Sequence, residues 1–178
     1  MRVLTVKQPW AWAIVHGGKD VENRVRNLAG DYRGPVAIHV ALRDDDEPAE
    51  YAHPMHGLIH APCPYAARYP YTHNVHACTW CTATSQRRWS DQGHIIGIVN
   101  LWAVHQDRDN GDCCPHRPSG GPGGSPWSER DVWHLCLSYS RPLAEPFPYR
   151  GGLGLRRLPD DVAVQLLALT TTDQEPTP

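Results

Sequence analysis

The chain has few lysines and no long apolar runs. Only two of its 17 basic residues are lysine, Lys7 and Lys19, and the others are arginine. No stretch approaches the roughly 18 apolar residues of a membrane-spanning helix, so we expect no insertion into a membrane. The formal net charge is −2, which excludes the strongly basic surface of a nonspecific nucleic-acid binder.

The chain also shows no apolar leader of the kind that directs secretion. Six cysteines without such a leader favour reduced thiols or a metal site over a disulfide framework. We therefore expect a cytoplasmic protein. The sequence gives no indication of its oligomeric state.

One domain is expected for 178 residues. The 17 prolines and 15 glycines predict a modest core with long loops. We expect the domain to span residues 1–169, with an insertion at about 52–92 and a flexible Gly/Pro-rich loop at about 107–125. The tail, residues 170–178, is expected to be disordered.

Hydrophobic periodicity predicts an α+β fold with a small mixed sheet. The long segment 94–104 is apolar on both faces, which is typical of a central strand, and Gly97 within it indicates a close approach of another element or a bend. Strands are predicted at 3–6, from residue 20, at 34–41, 94–104 and 132–139, with a last short strand near 155. Helices are predicted to begin at Pro9 and Pro159. Several strands with few helices favour a small, partly closed barrel.

The first helix is the clearest local feature. Pro9 suits the first helical position, and Trp10, Ala13, Ile14 and Gly17 recur at the spacing of one buried helix face. The pair Gly17-Gly18 should end the helix, because glycine adopts the left-handed conformation common at helix C-termini.

The strand that follows carries charge on alternate residues. Asp20, Glu22, Arg24 and Arg26 should point to one side, and Val21, Asn23 and Val25 to the other. Such a strand is either a solvated edge or the floor of a polar pocket.

The position of Lys19 helps to decide between a solvated edge and a polar pocket. An ammonium group can lose its proton, whereas a guanidinium cannot. A chain that otherwise uses arginine, yet has Lys19 beside this strand, indicates a site that needs an ammonium. The alternative is a solvated lysine after a helix.

The strand 34–41 has one apolar face, made by Val36, Ile38 and Val40. Its other face is small and carries His39. This imidazole is either a hydrogen-bonded core histidine or part of the site.

A cysteine and histidine cluster offers a possible metal site. The spacing His73-x-x-His76-x-Cys78-x-x-Cys81 contains one Cys-x-x-Cys pair, the usual first half of a structural zinc site. The second half would come from Cys113, Cys114 and His116, or from the two histidines themselves. Unliganded thiols in an irregular loop are the alternative, and no other cofactor is indicated.

These motifs together resemble the ASCH domain family, whose fold is a PUA-like β-barrel. The resemblance covers roughly residues 2–51 and 93–159. It rests on Gln8-Pro9-Trp10-Ala11, Gly18-Lys19-x-x-Glu22-x-Arg24, Tyr32-Arg33-Gly34, Ile38-His39-Val40-Ala41, Ile96-Gly97-Ile98-Val99, Ser125-Pro126-Trp127, Trp133 and Pro148 through Leu155. The first two motifs are the most specific.

The resemblance implies a cleft that binds RNA, a nucleotide or a modified base. Lys19 and Arg24 would neutralise phosphate or bind a base, with Glu22 holding Arg24 in place. Trp10, Trp12 or Trp127 would offer a stacking face. The candidate binding residues are Lys7, Gln8, Trp10, Lys19, Glu22, Arg24 and His39.

Two alternatives remain open. One branch of the family resembles amidohydrolases that deacylate N4-acetylcytidine with Lys, Thr and Glu. Lys19 matches the lysine, but Glu22 stands where that branch has threonine. As an enzyme, the chain would use Lys19 as base or nucleophile and Glu22 to orient water. The other alternative is a zinc-stabilised protein-interaction module built on Cys78 and Cys81.

Overall fold

The computed structural model describes residues 1–45, 91–107 and 125–170, which form six strands and two helices. The strands are β1 Arg2–Val6, β2 Val21–Arg24, β3 Gly34–Val40, β4 His94–Gln106, β5 Trp133–Pro148 and β6 Leu155–Arg157; the helices are α1 Trp10–His16 and α2 Asp160–Leu169. The predicted α+β class is confirmed.

The strands form one mixed sheet in the order β2-β5-β4-β3-β1-β6. Strands β1 and β3 are parallel, and the other neighbouring pairs are antiparallel. The sheet curls until Arg24 of β2 donates a hydrogen bond across 3.0 Å to the Thr5 carbonyl of β1. This contact joins the β2 end of the sheet to the β1/β6 end, so the sheet is a partly closed barrel, as expected.

Core side chains lie on both faces of the sheet, as the alternation in β3 predicts. Val36, Ile38 and Val40 face the cluster that includes Ile14 of α1. Ala37 faces the opposite cluster, where Leu166 of α2 is fully buried.

Strand β4 is central, and Gly97 within it is closely approached, as predicted. A Cβ added at Gly97 would lie 2.6 Å from a methyl group of Val15 and 3.1 Å from the Arg141 carbonyl. The register with β5 shifts between Ile95 and Gly97. Glycine here lets the end of α1 pack directly on the sheet.

Two predicted strand limits need correction. The strand predicted at 132–139 continues to Pro148, because β5 stays paired with β4. The strand predicted from residue 20 includes Val25, yet β2 ends at Arg24 and Val25 is 89% exposed. The pair Gly17-Gly18 ends helix α1 as predicted, and Gly18, at φ +70°, is the residue in the left-handed conformation, whereas Gly17 has a φ of −103°.

Several predictions lie mainly outside the described residues. They are the insertion at 52–92, the loop at 107–125, the tail 170–178 and the zinc ligand candidates Cys78 and Cys81. Neither of the two described helices is long and apolar enough to span a bilayer.

Candidate functional site

The end of helix α1 places Lys19. The Ala13 carbonyl accepts hydrogen bonds from the backbone N–H groups of Gly17 and of Lys19, both at 2.9 Å. Helices commonly end with a glycine in the left-handed conformation. Gly18 is that glycine. The helix end therefore fixes the backbone of Lys19 and turns its side chain toward the core.

Strand β2 brings a carboxylate and a guanidinium to the same place. Glu22 Oε2 lies 3.8 Å from Lys19 Nζ, and Glu22 Oε1 lies 2.9 Å from an Nη atom of Arg24. Residues 22 and 24 share one side of the strand, as the alternation predicts. The three predicted charges thus converge on Glu22, which is 7% exposed.

Two indole rings flank the ammonium group. Lys19 Nζ lies 5.2 Å from the ring centroid of Trp10 and 5.4 Å from that of Trp127. Cations within about 6 Å of an aromatic ring are attracted to its electron-rich face. Trp10 comes from α1 and Trp127 from the segment before β5, so three separate parts of the chain form the surroundings of Lys19.

Burial of Lys19 is the main electrostatic feature of the site. Its side chain is 4% exposed, and loss of hydration lowers the pKa of Lys19, since burial disfavours the charged form. The negative charge of Glu22 opposes this shift in pKa, and the Arg24 charge adds to it. A lysine with a lowered pKa loses its proton more readily than a lysine in water, and the neutral amine can then accept a proton.

Arg24 extends from the buried cluster toward solvent. Its side chain is 28% exposed, and one terminal nitrogen donates to both Glu22 and the Thr5 carbonyl. Its Nε atom is buried without a hydrogen-bond partner. The guanidinium is thus held through one terminal nitrogen and retains N–H groups for a further acceptor.

The other predicted site residues fall in different surroundings. Gln8 is fully buried, and its side-chain oxygen accepts the Trp12 backbone N–H at 3.0 Å. Lys7 forms an ion pair with Asp45 at 3.2 Å on the surface. His39 is 2% exposed and donates to the Tyr149 carbonyl at 3.0 Å. Within the described residues, no contact joins Lys7 or His39 to Glu22.

His39 is a tightly enclosed core residue. A Cβ added at Gly151 would lie 2.2 Å from the His39 ring, so a side chain there has no room. Burial lowers the pKa of His39, which its hydrogen bond to Tyr149 partly offsets. Of the two sequence interpretations of His39, the contacts match a hydrogen-bonded core histidine.

Sequence reasoning missed the residues that hold the two indoles. Asp45 accepts the Trp10 ring N–H at 2.8 Å. Asn23 donates to the Trp127 carbonyl at 2.8 Å, and Ser125 donates to Asp20 while it accepts the Trp127 backbone N–H. Asp45 lies 35 residues from Trp10 and Asn23 lies 104 residues from Trp127, so no local pattern in the sequence indicates these contacts.

No protein-family model matches the chain, and no curated protein does. Similar solved structures include ASCH from Zymomonas mobilis, with 15% identity over 96% of this chain and 95% of that chain and a TM-score of 0.44. A tyrosine-to-phenylalanine mutant of ZmASCH from the same organism has 15% identity, a TM-score of 0.48 and coverage of 96% and 98%. A serine-to-alanine mutant has 14% identity, a TM-score of 0.45 and 96% coverage of both chains.

Proposed function

We propose that the site around Lys19, Glu22 and Arg24 binds RNA or a nucleotide. The observation that carries this proposal is a lysine ammonium, 4% exposed, set between two indole rings and a carboxylate. Taking such charges out of water costs several kcal/mol per ion. An apolar side chain at position 19 would fill the space without that cost, which supports a role for the charge in binding.

The parts of the site match the parts of a nucleotide. Lys19 and Arg24 would supply positive charge to a phosphate or an electron-rich base edge, against the nearby negative charges of Glu22, Glu129 and Asp20. Trp10 is half-buried and offers a ring face, and stacking of one base on an aromatic side chain is worth about 1–3 kcal/mol. Because the chain as a whole has a formal charge of −2, binding should be modest and confined to this site.

A fluorescence titration tests the proposal, since Trp10 and Trp127 lie at the site. Single-stranded RNA is added to the unmodified protein and to Lys19→Met, which keeps an unbranched side chain one atom shorter and removes the charge. We expect Lys19→Met to bind at least tenfold more weakly. Arg157→Met is the matched control, because Arg157 is an exposed cation paired with Asp160 at 3.2 Å. Equal losses in both variants would contradict a local site.

Salt dependence is a second test of the same proposal. A single-stranded ligand held by a few cations should show a shallow decrease of log K with log salt, equivalent to about one to three phosphates. Affinity that does not change with salt, or no binding at low salt, would overturn the proposal.

One observation favours a second candidate, amidohydrolysis of an N4-acylated cytidine. The lowered pKa of Lys19 and the carboxylate 3.8 Å away suit a lysine that takes up a proton. Neutral Lys19 would take a proton from water while the water oxygen bonds to the acyl carbon. The bond from that carbon to N4 then breaks and N4 receives the proton from Lys19, which yields cytidine and a carboxylic acid.

Incubation with N4-acetylcytidine separates the two candidates. Release of cytidine and acetate in equal amounts, lost in Lys19→Met, would establish hydrolysis. No turnover together with RNA binding would leave binding as the function.

A further inference from the structure

A second arginine lies next to the site across the join between the ends of the sheet. The Thr5 carbonyl accepts from Arg24, and the Thr5 hydroxyl oxygen accepts the Gly152 backbone N–H at 3.2 Å. The Arg156 guanidinium lies directly against Gly152, because a Cβ added there would be 2.3 Å from Nη1 and 3.3 Å from Cζ of Arg156. The series Arg24, Thr5, Gly152 and Arg156 is therefore continuous.

Arg156 is exposed, and no carboxylate of a described residue lies within ion-pair distance of it. The next residue, Arg157, points to the other side of β6. There, Asp160 accepts hydrogen bonds from it at 3.2 and 3.3 Å. One of two adjacent arginines thus has its charge balanced, whereas the other presents its charge to solvent.

The absence of a side chain at Gly152 explains how Arg156 is placed. A guanidinium that lies against glycine backbone has fewer orientations than one on a free surface, so less conformational entropy is lost when it binds an anion. A planar guanidinium also matches the geometry of phosphate oxygens, to which it donates two parallel hydrogen bonds.

We propose that Arg156 is a phosphate-binding residue for an RNA strand whose nucleotide occupies the Lys19 site. This inference rests on the proposed function and narrows its ligand: a strand reaches both Arg24 and Arg156, whereas a nucleoside reaches the Lys19 site alone. The phosphate contacts position the strand and carry no sequence information.

The test compares Arg156→Ala with Arg157→Ala, which remove equal charge from neighbouring positions. Affinity for single-stranded RNA is measured over a range of salt concentrations. Arg156→Ala should weaken binding several-fold and equally for different sequences. It should also reduce the slope of log K against log salt by about 0.7, the value for one phosphate of a single strand. Arg157→Ala should match the unmodified protein, and binding of a nucleoside should be the same in all three.

Gly152→Ala provides a test that changes no charge. The added methyl group would displace the Arg156 guanidinium, so the salt slope should fall while both arginines remain. Thermal unfolding of each variant verifies that the fold is retained.

The failures of the two proposals are distinguishable. If the unmodified protein binds RNA and Arg156→Ala has the affinity and slope of Arg157→Ala, the role of Arg156 is wrong and the Lys19 site stands. If the unmodified protein binds no RNA, both proposals are wrong.

Discussion

The two lysines of this chain form two ion pairs that differ mainly in burial. Lys7 lies 3.2 Å from Asp45, with side chains 49% and 30% exposed. Lys19 lies 3.8 Å from Glu22, with side chains 4% and 9% exposed. The pair with the shorter distance is the more exposed to water, so the distance alone does not indicate how much a pair contributes to stability. Water screens the Lys7 pair, whereas Lys19 and Glu22 depend on each other.

Trp10 connects the two pairs. Its ring nitrogen donates to Asp45, and its ring face lies against Lys19. The surface pair therefore helps to hold the Trp10 ring beside Lys19.

Removal of the buried carboxylate should have the largest effect. Glu22→Gln leaves Lys19 and Arg24 without their shared partner, and loss of one member of a buried pair costs about 3–5 kcal/mol. Urea unfolding measures this cost. The control Asp45→Asn should lose less than about 1 kcal/mol. Similar losses in both variants would show that burial does not distinguish the two pairs.

The pH dependence of stability should reveal Lys19. Its pKa is lowered in the folded protein, while in the unfolded chain it is about 10.4. Between these two values the unfolded chain binds more protons, so the free energy of unfolding rises with pH. The unfolding free energy of the unmodified protein, minus that of Lys19→Met, should thus increase with pH between the lowered pKa of Lys19 and about 10.4. Lys7→Met retains Lys19 and should retain the rise; a flat or falling difference would contradict this.

The link through Trp10 should have an intermediate effect. Trp10→Phe removes the hydrogen bond to Asp45 but keeps an aromatic face toward Lys19. We expect a loss of about 1 kcal/mol, the net value of one hydrogen bond, measured by urea unfolding. Trp10→Ala, which also removes the ring, should lose about 3 kcal/mol. Equal losses in the two variants would mean that the hydrogen bond alone matters.

Loss of the surface lysine should have the smallest effect. Lys7→Met removes an exposed pair and should change the unfolding free energy by less than about 1 kcal/mol. The melting temperature at low and high salt measures it. A loss as large as that of Glu22→Gln would overturn the comparison.

Much of the fold follows from local pattern. Alternation in β3 and the apolar run in β4 are properties of adjacent residues, and each was sufficient to predict the strand. The alternation in β2 likewise placed Glu22 and Arg24 together. The predicted strand extended past Arg24 to Val25, whereas β2 ends at Arg24, because a periodic pattern does not show where pairing with the neighbouring strand ends.

The contacts that complete the site were not predictable in this way. The Arg24–Thr5 bond and the Trp10–Asp45 bond span 19 and 35 residues. Thr5 acts through its backbone carbonyl, which every residue has, so its side-chain type gives no signal. Such contacts depend on the curvature of the sheet, which one sequence does not specify.

Strand β2 is an edge strand, paired in the described sheet with β5 and approached on its other side by the Arg24 link to Thr5. A side-chain link restrains an edge less than a ladder of backbone bonds. A ligand that engages Arg24 would add restraint to that edge. Amide hydrogen–deuterium exchange along Val21–Arg24 should then slow on ligand binding. The exchange rate of this edge strand would therefore show whether the site is occupied.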